Sequence, residues 1–262
     1  MQQKQSEWAW QWEKTYDDNE WLFTEWIFPN TADTFRGKTV LDCGCGGGQH
    51  ISFVAPYAKE VVGVDLNAIA SARRHTEKFP NVSLVEADIA TMDLQRSFDV
   101  VYSIGVLHHT DDPTASFRNI ARHCRPGGRV IVWVYAYEGN ALNRWFVETM
   151  KNVLVHFLPR PIVWGLAHLL TLLVYLPVYT LYLLVPRSLG EVGLPYFQYF
   201  QNWRHLTYKR NLLNVFDKLN APQTHFLKRD TLEAWFNPQE FSDVHLSHYK
   251  GVSYRASGTR RS

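Results

Sequence analysis

Between Lys38 and Tyr135 short apolar runs alternate with amphipathic stretches, and this alternation constrains the fold more than any other feature of the chain. Thr39-Val40-Leu41, Val61–Val64, Val82–Val85, Asp99–Tyr102 and Gly128–Val132 read as strands, most of them apolar throughout. Ala68–Phe79 and Thr114–Cys124 read as helices between them. Consecutive parallel strands need a crossover, usually a helix, so the pattern implies βαβ units and a parallel sheet. The alternation stops near Gly139. It resumes with a helix over Arg229–Phe236 and two strands, Val244–His248 and Val252–Arg255, which are expected to close the sheet with an antiparallel last strand. The overall expectation is an α/β chain with helices on both faces of a mostly parallel sheet.

Four segments follow from this reading. Residues 1–36 are expected to be a helical cap, with Trp8, Trp12 and Tyr16 spaced four apart on one face. Residues 37–138 form the strand–helix core, residues 139–222 a helical, aromatic and apolar insertion, and residues 223–262 the helix and strands that complete the sheet. Basic and acidic residues nearly balance, 27 Lys and Arg against 25 Asp and Glu, which gives no push toward nucleic acid. Three cysteines, Cys43, Cys45 and Cys124, are too few for a disulfide framework and point to a reducing compartment. No second Cys or His pair stands at zinc-like spacing, so no metal site is expected. The first residues lack an apolar run, so a signal peptide is not expected and the chain reads as cytoplasmic.

The chemistry concentrates in Asp42-Cys43-Gly44-Cys45-Gly46-Gly47-Gly48, placed between a strand and a helix. Glycines permit a sharp turn and let a ligand lie against bare backbone, and the following helix N-terminus offers N–H donors. Asp65 follows the second strand, where an acidic side chain can hydrogen-bond ribose hydroxyls. An NAD-type turn would need a glycine at position 49, where Gln49 stands.

The ordered set of Asp42, Gly44, Gly46 and Gly48, then Val64-Asp65-Leu66, Glu86-Ala87-Asp88-Ile89, Phe98–Ser103 and Arg125-Pro126-Gly127-Gly128 resembles the class I S-adenosylmethionine-dependent methyltransferases over roughly residues 38–135. The resemblance implies a Rossmann-like, doubly wound sheet and S-adenosylmethionine as cofactor. It also implies residue roles. Asp42, with the turn residues Gly44, Cys45, Gly46 and Gly48, would hold the polar end of the cofactor. Asp65 and Leu66 would take the ribose, Asp88 and Ile89 the adenine, and the backbone at Ser103 and Ile104 the methionine moiety. Trp12 and Tyr16 are candidate aromatic faces near the sulfonium, because related enzymes fold an N-terminal helix over the cofactor.

Just beyond the fourth strand, where ligands sit in open α/β sheets, comes Leu107-His108-His109-Thr110-Asp111. His109, and after it His108, is a candidate general base for the acceptor's proton, with a pocket-shaping role as the alternative. Ala221-Pro222-Gln223 resembles a stretch near the acceptor pocket of bacterial methyltransferases, which makes His225 and Tyr199 candidate pocket residues. The expected function is methyl transfer to a nucleophile, oxygen before nitrogen, sulfur or carbon, on a small lipophilic acceptor. A cofactor-binding assembly or regulatory protein is the reading of a different class.

Ile162–Val185 carries no formal charge over 24 residues. Trp164, His168, Thr171, Tyr175, Tyr179 and Tyr182 line up on one helical face, and Pro177 is expected to interrupt the helix. Through residues 153–187 the insertion is expected to lie in a membrane interface, to contact a second subunit, or to cap the active site. The first option would place the protein peripherally at the inner face of the membrane.

Overall fold

The computed structural model describes residues 2–16, 19–155 and 157–262. They fall into two compact units. The first holds residues 1–135, 223–247 and 254–262; the second holds residues 136–222 and 248–253.

In the first unit the expected alternation is realised. In chain order it comprises α1 (Gln2–Lys14), α2 (Glu20–Ile27), β1 (Thr39–Cys43), α3 (Gln49–Val54), β2 (Glu60–Asp65), α4 (Ile69–Thr76), β3 (Val82–Glu86), β4 (Phe98–Ile104), α5 (Pro113–Arg122) and β5 (Cys124–Tyr135). The seven-stranded sheet has the order β3-β2-β1-β4-β5-β7-β6, where β6 is Phe241–Tyr249 and β7 is Ser253–Arg260. β1 pairs in parallel with β2 and β4, β2 with β3, and β4 with β5. The last strands run antiparallel, giving a mixed, Rossmann-like sheet.

Sheet position explains the burial. β1 and β4 are central, so Val40, Leu41, Val101 and Tyr102 are fully enclosed. β3 is an edge strand, and its valines are only half-buried. Charge is admitted where it is matched: Arg129 on β5 reaches Asp243 Oδ2 at 2.8 Å and the hydroxyls of Ser257 and Thr259.

Two local expectations shift. The N-terminal segment is two helices, the second capped by Asn19, whose side chain accepts from Leu22 N. The turn Arg125-Pro126-Gly127-Gly128 was expected before the fifth strand but lies inside it. Phe98 pairs with Cys124 and Val100 with Arg129, so four residues of β5 bulge opposite one residue of β4. Gly127, at φ +74°, makes the bulge possible.

The second unit is helical. α6 (Glu148–Met150) is flanked by wide π-type turns at Asn143–Val147 and Lys151–Val155. Then come α7 (Arg160–Tyr179), α8 (Leu181–Leu184), α9 (Arg187–Gly193), α10 (Phe197–Trp203) and α11 (Tyr208–Asn220). α12 (Arg229–Trp235) returns the chain to the first unit. Pro177 was expected to break the long apolar helix, yet it stays within α7, and the break falls at Thr180, at φ −117° and ψ −83°. A proline removes one N–H and crowds the preceding turn. Here the helix completes its last turn before parting, with Thr180 Oγ1 donating to Leu176 O at 2.6 Å.

Candidate active site

The glycine turn is built by backbone geometry. Gly44, Gly46 and Gly48 have φ of +87°, +52° and +82°, a region L side chains rarely adopt. Gly44 N and Cys45 N both donate to Val64 O, which ties the turn to β2. A Cβ on Gly44 would run into Val106. Gly44→Ala is therefore expected to destabilise the fold by about 1–3 kcal/mol and to abolish detectable cofactor binding, read by thermal melting and calorimetric titration. Unchanged melting and affinity would overturn this reading of the turn.

Asp65 closes the turn from the end of β2. Its Oδ2 accepts from Gly46 N at 2.9 Å, and its Oδ1 accepts from Asn67 N and Ala68 N, each at 3.0 Å. An ionised carboxylate has about four lone-pair positions, so three backbone donors leave about one for a ribose hydroxyl. Asp65 thus shapes the turn and keeps about one oxygen position open to a ligand. Leu66 beside it is half-buried.

Asp42 is strongly perturbed. Its Oδ2 accepts from the Tyr102 hydroxyl at 2.8 Å, while Oδ1 is buried without a hydrogen bond. Burial pushes its carboxyl from 3.8 up to about 8, against the opposing pull of the Tyr102 hydrogen bond and with a further upward push from the charge of Asp65. A buried acceptor lacking a donor costs free energy, and a cofactor's polar end would satisfy it. This orphaned oxygen and the glycine turn fit a bound S-adenosylmethionine.

The other expected cofactor residues lie along the sheet's C-terminal edge. Asp88 is exposed, and its Oδ1 accepts from Ala90 N at 2.8 Å. Ile89 is buried, and its carbonyl accepts from Asn119 Nδ2. Ser103 Oγ donates to Cys43 O at 2.8 Å, which locks β4 to β1, and Ile104 is buried. Cys45 is buried, and desolvation raises its thiol well above its ordinary value.

α1 lies across the turn. A Cβ at Gly46 would come within 2.7 Å of the Trp12 indole. Ser71 Oγ donates to Trp12 O at 2.7 Å, which anchors α1 to α4. The Tyr16 and His75 rings pack tilted with centroids 4.2 Å apart, and His75 Nδ1 lies 2.8 Å from Gly47 O. Ser71 and His75 carry no motif, so the sequence reading missed them.

The histidine pair forms a turn of 3-10 helix, Leu107–His109, ahead of α5, which Asp112 caps by accepting from Thr114 N and Ala115 N. His109 Nδ1 lies 2.9 Å from Gln223 O. A carbonyl only accepts, so Nδ1 is the donor in this contact. The Gln223 side chain donates to His109 O and to Asp111 Oδ1, which clamps the same loop. Trp8 stands 4.8 Å from the His109 ring, and Tyr135 lies 4.1 Å from that of His108. His108 is fully buried, and its carbonyl accepts from His225 N at 2.7 Å. His225 Nε2 is buried without a hydrogen bond. The structure thus gathers His108, His109 and His225 in the first unit, together with Trp8 and Tyr135, which had not been assigned to the site. Tyr199 belongs to the second unit, where its hydroxyl takes a hydrogen bond from Lys218 Nζ at 3.4 Å.

Residues 41–132 match the family model described as a methyltransferase domain. Over 131 residues, 47% of this chain and 40% of the relative, the sequence is 29% identical to a tRNA U34 carboxymethyltransferase of Pseudoalteromonas atlantica. Over 102 residues, 37% of this chain and 43% of the relative, it is 36% identical to a ubiquinone biosynthesis O-methyltransferase of Coxiella burnetii. The chain thus spans less than half the length of these curated relatives. An O-methyltransferase family protein from Burkholderia thailandensis superposes with a TM-score of 0.53 at 13% identity, covering 92% of this chain and 56% of that one, which supports the fold.

Proposed function

We propose that this chain, whose core is a class I S-adenosylmethionine-dependent methyltransferase domain, transfers the methyl group to an oxygen of a small, lipophilic acceptor. The observation that carries the catalytic part is the placement of His109, held through Nδ1 by Gln223 O in the turn just past the C-terminal end of β4, where ligands sit in open α/β sheets. When bound, the cofactor supplies a methyl already activated by its sulfonium, so the protein's work is alignment and proton removal. Asp42, the glycine turn and Asp65 hold the cofactor. With the cofactor bound, methyl transfer to the acceptor's oxygen would release the hydroxyl proton, and His109 would accept it. Trp8 supplies an aromatic wall beside His109.

A small acceptor is favoured over RNA by charge. The first unit holds 18 basic residues against 21 acidic ones, the wrong balance for neutralising phosphates. Oxygen and lipophilicity draw support from the relative named for ubiquinone biosynthesis O-methylation.

The test is to incubate the protein with methyl-labelled cofactor and fractionated lipid and metabolite extracts. Label is expected in an organic-soluble product at an alkali-stable ether; label in no fraction, with the cofactor bound, would favour a non-catalytic cofactor-binding role. In parallel, Asp65→Ala is expected to weaken cofactor binding by about 1–3 kcal/mol by titration calorimetry. Unchanged affinity would move the ribose site elsewhere.

A further inference from the structure

In the second unit the long helix leaves a leucine face uncovered. Of the aligned polar and aromatic stripe, Thr171 and Tyr182 are buried, Trp164, His168 and Tyr175 are half-buried, and Tyr179 is exposed. Trp164 packs edge-on against Phe216 of α11 at 4.9 Å, and His168 Nδ1 lies 2.7 Å from the Tyr208 hydroxyl. Asn211 Nδ2 donates to the Tyr175 hydroxyl at 3.1 Å, and the Tyr182 hydroxyl donates to Pro195 O at 2.8 Å. Val163, Ala167 and Val178 are buried, but four leucines face out: Leu169, Leu172, Leu173 and Leu176 are each more than half exposed, and Leu184 of α8 is 79% exposed. Burying aliphatic side chains is the ordinary driving force of a soluble helix, so a leucine face left uncovered calls for an apolar medium outside.

The apolar surface is confined to this unit. Of 23 exposed large hydrophobic residues among those described, 20 lie in it, including Trp145 and Phe157, both about three-quarters exposed. Its charge also differs in sign from the rest of the chain: nine Lys and Arg against four Asp and Glu, a net of +5, while the first unit carries −3. A leucine face with exposed Trp and Phe on a cationic body complements the interface of an anionic bilayer. α7 has 20 residues, about 30 Å of helix, long enough to cross. A single crossing is nonetheless excluded, because β5 before the insertion and β6 and β7 after it belong to one sheet.

We propose that the outward leucine face of α7 and α8 docks the protein on the surface of an anionic phospholipid bilayer, lying in the interface without spanning it. The proposal stands on the second unit alone and holds whichever atom is methylated. The full chain is mixed with vesicles of phosphatidylcholine alone, or of phosphatidylcholine with phosphatidylglycerol, and sedimented. The protein is expected to pellet with the mixed vesicles at least about tenfold more than with the neutral ones. The double variant Leu169→Glu with Leu173→Glu is expected to lose about tenfold or more of that binding while keeping its cofactor affinity, which reports on the first unit's fold. If it does not fold, the milder pair Leu172→Ser and Leu176→Ser makes the same test. A protein that stays in the supernatant as a monomer overturns the proposal. So does equal binding to both vesicle types, or a dimer in light scattering that the glutamates dissociate while vesicles bind neither form. Loss of methyl transfer with intact vesicle binding would count against the catalytic reading and leave this one standing.

Discussion

His109→Ala is expected to leave cofactor affinity nearly intact and to lower turnover by roughly 10²–10⁴-fold, the range a positioned proton acceptor contributes. The argument is geometric. His109 sits just past the C-terminal end of β4, in a single 3-10 turn, and Gln223 holds it twice, through its backbone carbonyl and through its side-chain amide. An imidazole held in one orientation acts on the chemical step, so the loss in the variant should appear in kcat and not in cofactor affinity. A His109→Gln variant separates shape from basicity: it can keep the hydrogen bonding but not the proton acceptance, so it should follow Ala in turnover. If Ala lowers turnover less than tenfold with an identified acceptor, His109 only shapes the pocket. His225, whose Nε2 is buried without a partner, would be the next residue to test.

The site is legible in the sequence where the backbone itself restricts the residue. Gly44, Gly46 and Gly48 all take left-handed backbone, so the turn is legible in one chain. The strand–helix alternation is legible because sheet burial imposes it. What escaped was relational. Asp65 looked like a ribose ligand by its spacing, yet most of its hydrogen-bonding capacity goes into Gly46, Asn67 and Ala68. Tyr102 reads as one more strand aromatic until its hydroxyl is seen on Asp42. Trp8 and Tyr135 lie far apart in sequence and meet the histidines only in the folded chain. In the insertion the spacing located a polar-aromatic stripe but did not say which side of the helix faced inward. Pro177 marked the right region of the break but not its residue, because a helix can finish a turn beyond a proline when side chains such as Thr180 take up the carbonyls.

Asp42→Asn is expected to make the cofactor-free protein more heat-stable at pH 8 while weakening its grip on the cofactor. In the unfolded chain the carboxyl loses its proton near its ordinary 3.8; in the fold, burial holds the proton up to about 8. Between these values the folded state binds more protons than the unfolded one, so stability falls as pH rises, by at most about 1.4 kcal/mol per pH unit, and levels off above pH 8. Below pH 4 both states are protonated and the loss is absent. Asparagine keeps an oxygen to accept from Tyr102 and has no proton to lose, so its melting temperature should be flatter with pH. The expected gain over the parent at pH 8 is of the order of several degrees. Cofactor binding uses the same ionisation in reverse. An ammonium at the polar end of the cofactor favours the carboxylate, so the parent's affinity should rise by up to about tenfold per pH unit toward pH 8 and then level off. In the asparagine variant that affinity should be weaker and nearly pH-independent. Melting curves from pH 4 to pH 9 on both proteins, without and with cofactor, measure all of this at once. Parallel stability profiles for the two proteins would show that Asp42 is already ionised in the cofactor-free fold, and its role at the site would have to be rebuilt on a permanent carboxylate.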